Sequence, residues 1–94
     1  MMADEQIKYF VTDDTSLAAY LHLKGMKAME ATIYNPENRR RKSFIFIDSP
    51  LREGYEEEFY NRTAVCAPLD YFDARVTISR YLKNTVEDPR KMVN

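Results

Sequence analysis

The sequence predicts an α+β fold: a small antiparallel sheet of three or four strands with helices packed on one face. Three observations lead to this class. The chain has 94 residues, which is enough for one hydrophobic core. Segments with period-two alternation and segments with helical spacing follow one another in the order β-α-β-β-α-(β)-α. Only 2 Gly and 4 Pro are present, too few for a turn-rich β-sandwich.

The first strand and helix are predicted at the start of the chain. Residues 7–12 are rich in β-branched and aromatic side chains, which favours a strand. Residues 13–15, Asp-Asp-Thr, end it and can cap a helix, because their short side-chain oxygens accept hydrogen bonds from free amides of the first turn. Apolar residues recur at helical spacing over residues 16–24, and Gly25 stands where a left-handed C-terminal cap is expected.

A β-hairpin is predicted next. Residues 27–34 alternate with period two, residues 35–38 (Asn-Pro-Glu-Asn) favour a turn, and residues 40–48 form the third strand. The centre of this third strand, Phe-Ile-Phe-Ile at residues 44–47, is apolar on both faces. Such a strand is either covered on both sides or leaves one functional face exposed.

Two more helices are predicted in the second half. Ser49 and Pro50 indicate a helix start, and the helix reaches about residue 61. Its buried edge is predicted to hold Leu51, Tyr55 and Phe59. Residues 63–67 fit either a loop or a short edge strand.

The last helix is predicted from Pro68 to about residue 84. Its broad apolar face contains Leu69, Phe72, Val76, Ile78, Tyr81 and Leu82. We therefore predict a single domain over residues 1–84, followed by a flexible polar tail over residues 85–94.

Composition limits the function. The formal net charge is −1 and the pI about 5.8, so nucleic acid would have to bind a local patch rather than the whole surface. Apolar runs are too short to span a membrane, and the start of the chain lacks signal-peptide features. A single cysteine, Cys66, fits a reducing compartment, and we predict a cytoplasmic protein.

The sequence offers little for catalysis. His22 is the only histidine, which excludes sites that need two imidazoles from one chain. Cys66 is predicted to be a small buried hydrophobic residue, and a thiol nucleophile formed by Cys66 with His22 ranks far behind. The glutamates at residues 56–58 point to different sides of a helix and predict a solvated face. We predict no catalytic residue, no metal site and no cofactor.

The most informative feature is a run of four cations at the predicted hairpin, Arg39, Arg40, Arg41 and Lys42. Like charges this close repel one another, and a polyanion or an acidic partner would relieve that cost. The alternative is a hairpin whose charge keeps it soluble and prevents edge pairing.

An aromatic surface could lie beside these cations. If Ile45 and Ile47 face the helices together with Val11 and Ile33, alternation turns Phe44 and Phe46 to the other side. Phe10 and Tyr34 would then be their neighbours on a surface suited to base stacking. The opposite assignment, with both phenylalanines beneath the helices or covered by a dimer, stays open because large exposed apolar patches are uncommon.

Residues 42–47, Lys-Ser-Phe-Ile-Phe-Ile, resemble the signature of the RNA-recognition motif on its third strand. The resemblance implies that Phe44 and Phe46 stack on bases, that Lys42 contacts phosphate and that Tyr9 or Phe10 is the first-strand aromatic. Ser43 and Ile45 stand where that signature has glycine and a small residue.

A resemblance over residues 8–83 is carried by framework segments: Tyr-Phe-Val-Thr at 9–12, Leu-Ala-Ala-Tyr-Leu at 17–21, Phe-Ile-Phe at 44–46, Phe-Tyr at 59–60 and Tyr-Phe at 71–72. In these the chain is similar to a family of small phage and bacterial domains of unknown function, domain of unknown function 5659. This resemblance implies a phage or bacterial setting, with a location in the host cytoplasm if the protein is phage-encoded, and it transfers no functional residue.

We therefore predict a non-enzymatic binding module that contacts nucleic acid through Arg39, Arg40, Arg41, Lys42, Phe44, Phe46 and Phe10. The alternative is a protein-interaction module, such as a phage inhibitor or adaptor of a host complex, or a homo-oligomer. Near-neutral charge and 13% aromatic residues motivate it, since Tyr, Phe and Arg are favoured at protein interfaces.

Overall fold

A computed structural model describes residues 7–35 and 37–92, with the side chains of residues 39, 91 and 92 left out. It confirms the predicted α+β class: three antiparallel strands form one sheet in the order β1-β3-β2, and three α-helices accompany it. The elements are β1 (Tyr9–Thr12), α1 (Thr15–Leu23), β2 (Ala28–Asn35), β3 (Asn38–Ile47), α2 (Arg52–Tyr60) and α3 (Pro68–Arg80), then 3₁₀ turns at Tyr81–Lys83 and Pro89–Met92.

The register of β3 with its two neighbours decides which side chains share a face of the sheet. Phe46 lies opposite Phe10 of β1 and Ala28 of β2, and Phe44 lies opposite Thr32 of β2. Directly paired residues point to the same side, so these side chains line one face. The strand β2 is irregular between Ala28 and Thr32: it advances four residues there, while β3 advances two, from Phe44 to Phe46.

Helix α1 begins at Thr15 and ends at Leu23, one residue earlier at each end than predicted, and both predicted caps are formed. Asp14 is its N-cap, and its Oδ1 accepts hydrogen bonds from the amides of Ser16 at 3.0 Å and Leu17 at 3.1 Å. Gly25 follows the last turn with φ of 94°, a left-handed conformation that costs glycine little. Local sequence therefore fixes both ends of this helix.

Helix α2 begins at Arg52, later than Ser49 and Pro50 predict. Ser49 instead closes a turn, accepting the amide of Leu51 on its Oγ at 3.1 Å. The helix ends in a Schellman motif, in which the amide of Thr63 bonds to the Glu58 carbonyl at 2.9 Å. Arg62 takes the left-handed position of that motif, with φ of 61°, where glycine is usual.

The three helices pack on the face of the sheet that contains the phenylalanines, which we call the helix face. Leu17 and Leu21 of α1 and Ile78 of α3 form one buried cluster with Phe44 and Phe46. Tyr55 and Phe59 of α2 pack against the same cluster, together with Phe10, Ala28 and Tyr81. This is the hydrophobic core of the domain.

The opposite face of the sheet is also buried at its centre. Ile45 alternates with the two phenylalanines along β3 and is fully buried, as are Ser43 and Ile33, which lie opposite each other. Of the two possibilities for an all-apolar strand centre, β3 is therefore the strand that is covered on both sides.

Residues 84–86, where the predicted tail begins, bond to the edge of the sheet. The amide of Thr32 bonds to the Asn84 carbonyl at 2.9 Å, and the Val86 amide bonds to the Thr32 carbonyl at 2.8 Å. Thr85 thereby forms a parallel bridge with Thr32 on the outer edge of β2. Residues 63–67, for which loop and strand both remained open, form a loop.

We expect Phe46→Ala to lower the free energy of unfolding by about 3–5 kcal/mol, because it empties a fully buried ring site. Ile47→Ala, on the next residue of the strand and partly exposed, should cost about 1 kcal/mol or less. Urea unfolding followed by circular dichroism measures both. Equal losses for the two variants would contradict the assignment of faces.

Candidate binding surfaces

The basic hairpin is formed, and two of the three cations whose side chains the structure describes contact other parts of the chain. Arg41 Nε lies 3.4 Å from Asp13 Oδ2, in an ion pair between exposed groups, and Lys42 Nζ donates to the Leu82 carbonyl at 2.8 Å. Arg40 is exposed. The side chain of Arg39 lies outside the described residues, as does the whole of Pro36 in the turn.

The predicted aromatic surface is not where the alternation argument put it. Phe44 is 1% exposed and Phe46 is 0% exposed, and both rings lie in the core beneath the helices. Phe10 is on the same face, and the guanidinium carbon of Arg52 lies 4.4 Å from its ring centroid. The assumption that Ile45 faces the helices is wrong, and the opposite assignment, which had remained open, is correct for both phenylalanines.

Side-chain size explains why the phenylalanines turn inward. Helix α1 presents Ala18 beside Leu17 and Leu21, and all three belong to the cluster around the two rings. A small residue between larger ones leaves a space that a ring fills. Phe44 and Phe46 are therefore not available for the base stacking that the resemblance to the RNA-recognition motif implies.

One aromatic ring does remain exposed next to the hairpin cations. Tyr34 of β2 is 57% exposed and lies opposite Lys42 in the register. The sequence placed Tyr34 only as a neighbour of the predicted aromatic surface. Its position at the end of the strand keeps it beyond the reach of the helices that cover Phe44.

The apolar face predicted for the last helix is buried only in part: Ile78 lies in the core and Tyr81 packs against it, but three large apolar side chains of α3 are exposed, contrary to prediction. Leu69 is 76% exposed, Phe72 is 62% exposed and Val76 is 36% exposed, and they repeat at helical spacing along one side. We call these three residues the α3 stripe. Leu51 of the predicted buried edge of α2 is likewise exposed, whereas Tyr55 and Phe59 pack on the core as predicted.

The orientation of α3 is set by its contacts with α1. Ala74 and Ile78 occupy the buried side of the helix. The Tyr71 hydroxyl donates to the Ser16 carbonyl at 3.0 Å, and Arg75 Nη1 donates to Ser16 Oγ at 3.0 Å. Small Ala74 permits close approach to α1, and this turns the α3 stripe toward solvent.

Cations border the α3 stripe. A shallow groove, which we call the α3 groove, is lined by Pro68, Tyr71, Phe72, Arg75, Val76, Ser79, Arg80 and Lys83. Three of these described residues are cationic and none is acidic. The acids of α3, Asp70 and Asp73, line a different groove. The α3 groove therefore combines an aromatic ring with positive charge.

Helix α2 carries the opposite charge on its outer side. Glu53, Glu57 and Tyr60 repeat at helical spacing and are exposed, and we call them the α2 acidic stripe. Within residues 7–35 and 37–92, neither Glu53 nor Glu57 forms an ion pair. The intervening Glu56 is different, because it pairs with Arg52, which also pairs with Asp48.

Two tyrosine hydroxyls hold α2 against α1. Tyr20 donates to Glu58 Oε1 at 2.7 Å, and Tyr60 donates to Asp14 Oδ2 at 2.9 Å. Burial raises the pKa of Tyr20 to about 12, and the bond to Glu58 adds to the shift. Burial and the bond to Asp14 likewise raise the pKa of Tyr60 to about 12. These bonds keep the α2 acidic stripe pointing outward.

The ion pairs at the start of α2 also shift ionisation. Hydrogen bonds from the Arg52 guanidinium lower the pKa of the Asp48 carboxyl below its ordinary value. The hydrogen bonds to Asp48 and Glu56 raise the pKa of Arg52 further above its ordinary value. Since Arg52 also covers Phe10, this group joins α2 to the first strand.

The residues considered for catalysis are separate surface features. Cys66 is exposed in the loop before α3, so the prediction that it is buried is wrong. His22 is partly exposed in the last turn of α1. In the part of the chain that the structure describes, no three His, Cys, Asp or Glu side chains are grouped to hold a metal ion, and no helix is long and apolar enough to cross a membrane.

Comparisons with family models, with curated proteins and with solved structures give no match to this chain. The resemblances to the RNA-recognition motif and to the phage and bacterial domain family remain predictions from the sequence. The surfaces must be interpreted from their own chemistry.

We expect the free energy of unfolding to fall less steeply between pH 10 and pH 12 in Tyr20→Phe than in the wild type. The folded-state pKa lies above the ordinary value of 10.0, so this tyrosine stabilises the fold fully below pH 10, and that contribution is lost as the pH rises through about 12. Urea unfolding at several pH values measures the slope. Tyr60→Phe should act similarly, and an unchanged slope in Tyr20→Phe would contradict the assignment.

Proposed function

We propose that this protein is a non-enzymatic protein-interaction module that binds an acidic, amphipathic partner segment in the α3 groove. The observation that carries the proposal is the exposure of Leu69, Phe72 and Val76 along one side of α3. Three large apolar side chains in one helical stripe cost free energy in water, and covering them is favourable by roughly 25 cal/mol per Å² of apolar surface.

The charge around the α3 stripe indicates the chemistry of the partner. Arg75, Arg80 and Lys83 line the groove, and Arg75 is held in place by its bond to Ser16. A prepositioned guanidinium loses less conformational entropy on binding a carboxylate than a free one does. Apolar anchors at helical spacing, bordered by cations, suit a helix that presents apolar residues flanked by Asp or Glu.

The first test uses two synthetic amphipathic helical peptides with the same apolar residues, one flanked by Glu and one by Lys. We expect titration calorimetry to show binding of the Glu peptide only, because the groove is cationic. Phe72→Ala should weaken binding of the Glu peptide by about tenfold or more, as expected for a central aromatic anchor. Leu51→Ala, an exposed apolar residue of another element, is the control. Equal binding of both peptides, or no effect of Phe72→Ala, would refute the proposal.

A second candidate function, binding of single-stranded nucleic acid, is favoured by the hairpin. Arg40 is exposed, Arg41 is exposed despite its ion pair with Asp13, and Tyr34 offers a ring beside Lys42. Surface ion pairs are weak, so phosphate can compete for Arg41. A stacking ring next to cations is a common arrangement in single-strand binding. Phe10, Phe44 and Phe46 do not support it, because they pack in or against the core.

This candidate is tested with a fluorescent single-stranded oligothymidine and fluorescence anisotropy over a salt series. Replacing Arg40 and Arg41 by Ala should weaken binding and reduce the salt slope by roughly 1.4, the value for two phosphate contacts on a single strand. Lys8→Ala with Lys27→Ala removes the same charge at the other end of β3 and should change little. An affinity for the oligothymidine that does not change with salt concentration, or no binding at low salt, excludes the nucleic-acid function.

A further inference from the structure

We propose that the partner segment is the α2 acidic stripe of a second copy of this chain, so that copies associate head to tail. This inference rests on the proposed function and names an occupant for the α3 groove. Each molecule carries both complementary surfaces, one on α2 and one on α3.

The two surfaces match in charge. Glu53 and Glu57 are exposed and form no ion pair within the described parts of the chain, while Arg75, Arg80 and Lys83 border the groove. Bringing the two together pairs carboxylates with cations that are otherwise solvated, which favours encounter and fixes orientation. The formal net charge of −1 opposes association only slightly.

The two surfaces also match in length and apolar content. Glu53 to Tyr60 and Leu69 to Val76 are each eight residues of helix, so the first and last residues are about 10 Å apart along the axis. The ring of Tyr60 is largely exposed although its hydroxyl is bonded to Asp14, so it is held in one orientation. It can pack beside Phe72 while the glutamates reach the cations.

The geometry favours a heterologous interface over a symmetric one. A symmetric dimer through two α3 grooves would bring Arg75, Arg80 and Lys83 of both copies together, and like charges would repel. In the α2 to α3 arrangement, each molecule uses one surface and leaves its other surface available. Such contacts propagate into rings or open chains.

Sedimentation velocity of the full chain at low salt tests this. We expect the wild-type protein to form assemblies larger than a dimer as concentration rises, and to dissociate at high salt because the contact is largely ionic. The α2 variant, Glu53→Lys with Glu57→Lys, should be monomeric, and so should the α3 variant, Arg75→Glu with Arg80→Glu. Glu37→Lys with Glu87→Lys makes the same charge change as the α2 variant at exposed positions elsewhere and should associate like the wild type.

Mixing the two monomeric variants gives the sharpest result. The α2 variant keeps an intact groove, and the α3 variant keeps an intact acidic stripe. The reversed charges on their other two surfaces also complement each other, so the mixture should again form assemblies larger than a dimer, in which the two variants alternate. A symmetric α3 interface predicts instead that the α2 variant still dimerises alone. That outcome, or a mixture that stays monomeric, overturns the inference. Circular dichroism of each variant establishes that it is folded.

The peptide experiment separates this inference from the proposed function. A wild-type protein that is monomeric at all concentrations but binds the Glu peptide overturns self-association and leaves the docking function intact. A wild-type protein that neither associates nor binds the Glu peptide overturns both.

Discussion

The packing of β3 on both of its faces is the constraint on which the rest of the structure depends. This strand lies between β1 and β2, and its register places Phe44 opposite threonines of both neighbours and Phe46 opposite Phe10 and Ala28, all on one face of the sheet. The rings therefore project together into one space, which α1 and α3 close with Leu17, Leu21 and Ile78. Ile45 is buried on the other side. Every helix is positioned relative to these rings, and so are the surfaces that remain exposed.

The exposed surfaces follow from how the core is filled. With two rings already beneath the helices, α3 contributes Ala74 and Ile78 to the interior, and its larger side chains at Leu69 and Phe72 remain outside. In α2, Tyr55 and Phe59 pack against the core on the inner side of the helix, and the glutamates are therefore on its outer side. Opposite charge on α2 and α3, the two helices that pack on α1, is thus a consequence of packing, and it is the basis of the binding that we propose.

The hairpin shows how far a local pattern can predict a site. Four consecutive cations at residues 39–42 could be placed at a turn from the sequence, because Asn and Pro residues precede them. Their partners could not, since Asp13 lies in another loop and the Leu82 carbonyl is 40 residues away from Lys42. The sequence of α3 contains more apolar residues than one face of a helix can bury, so some of them had to be exposed. The sequence pattern does not indicate which apolar residues those are.

By itself the sequence determined what depends on neighbours along the chain. It fixed the element order, the Asp14 cap and the glycine end of α1, and the start of α3 at Pro68, because caps and periodicity act over a few residues. Only the tertiary structure decided which face of β3 the helices cover and which side of α3 is exposed. Both faces of that strand are apolar, so alternation permits two answers, and the choice rests on how ring volumes fit against α1.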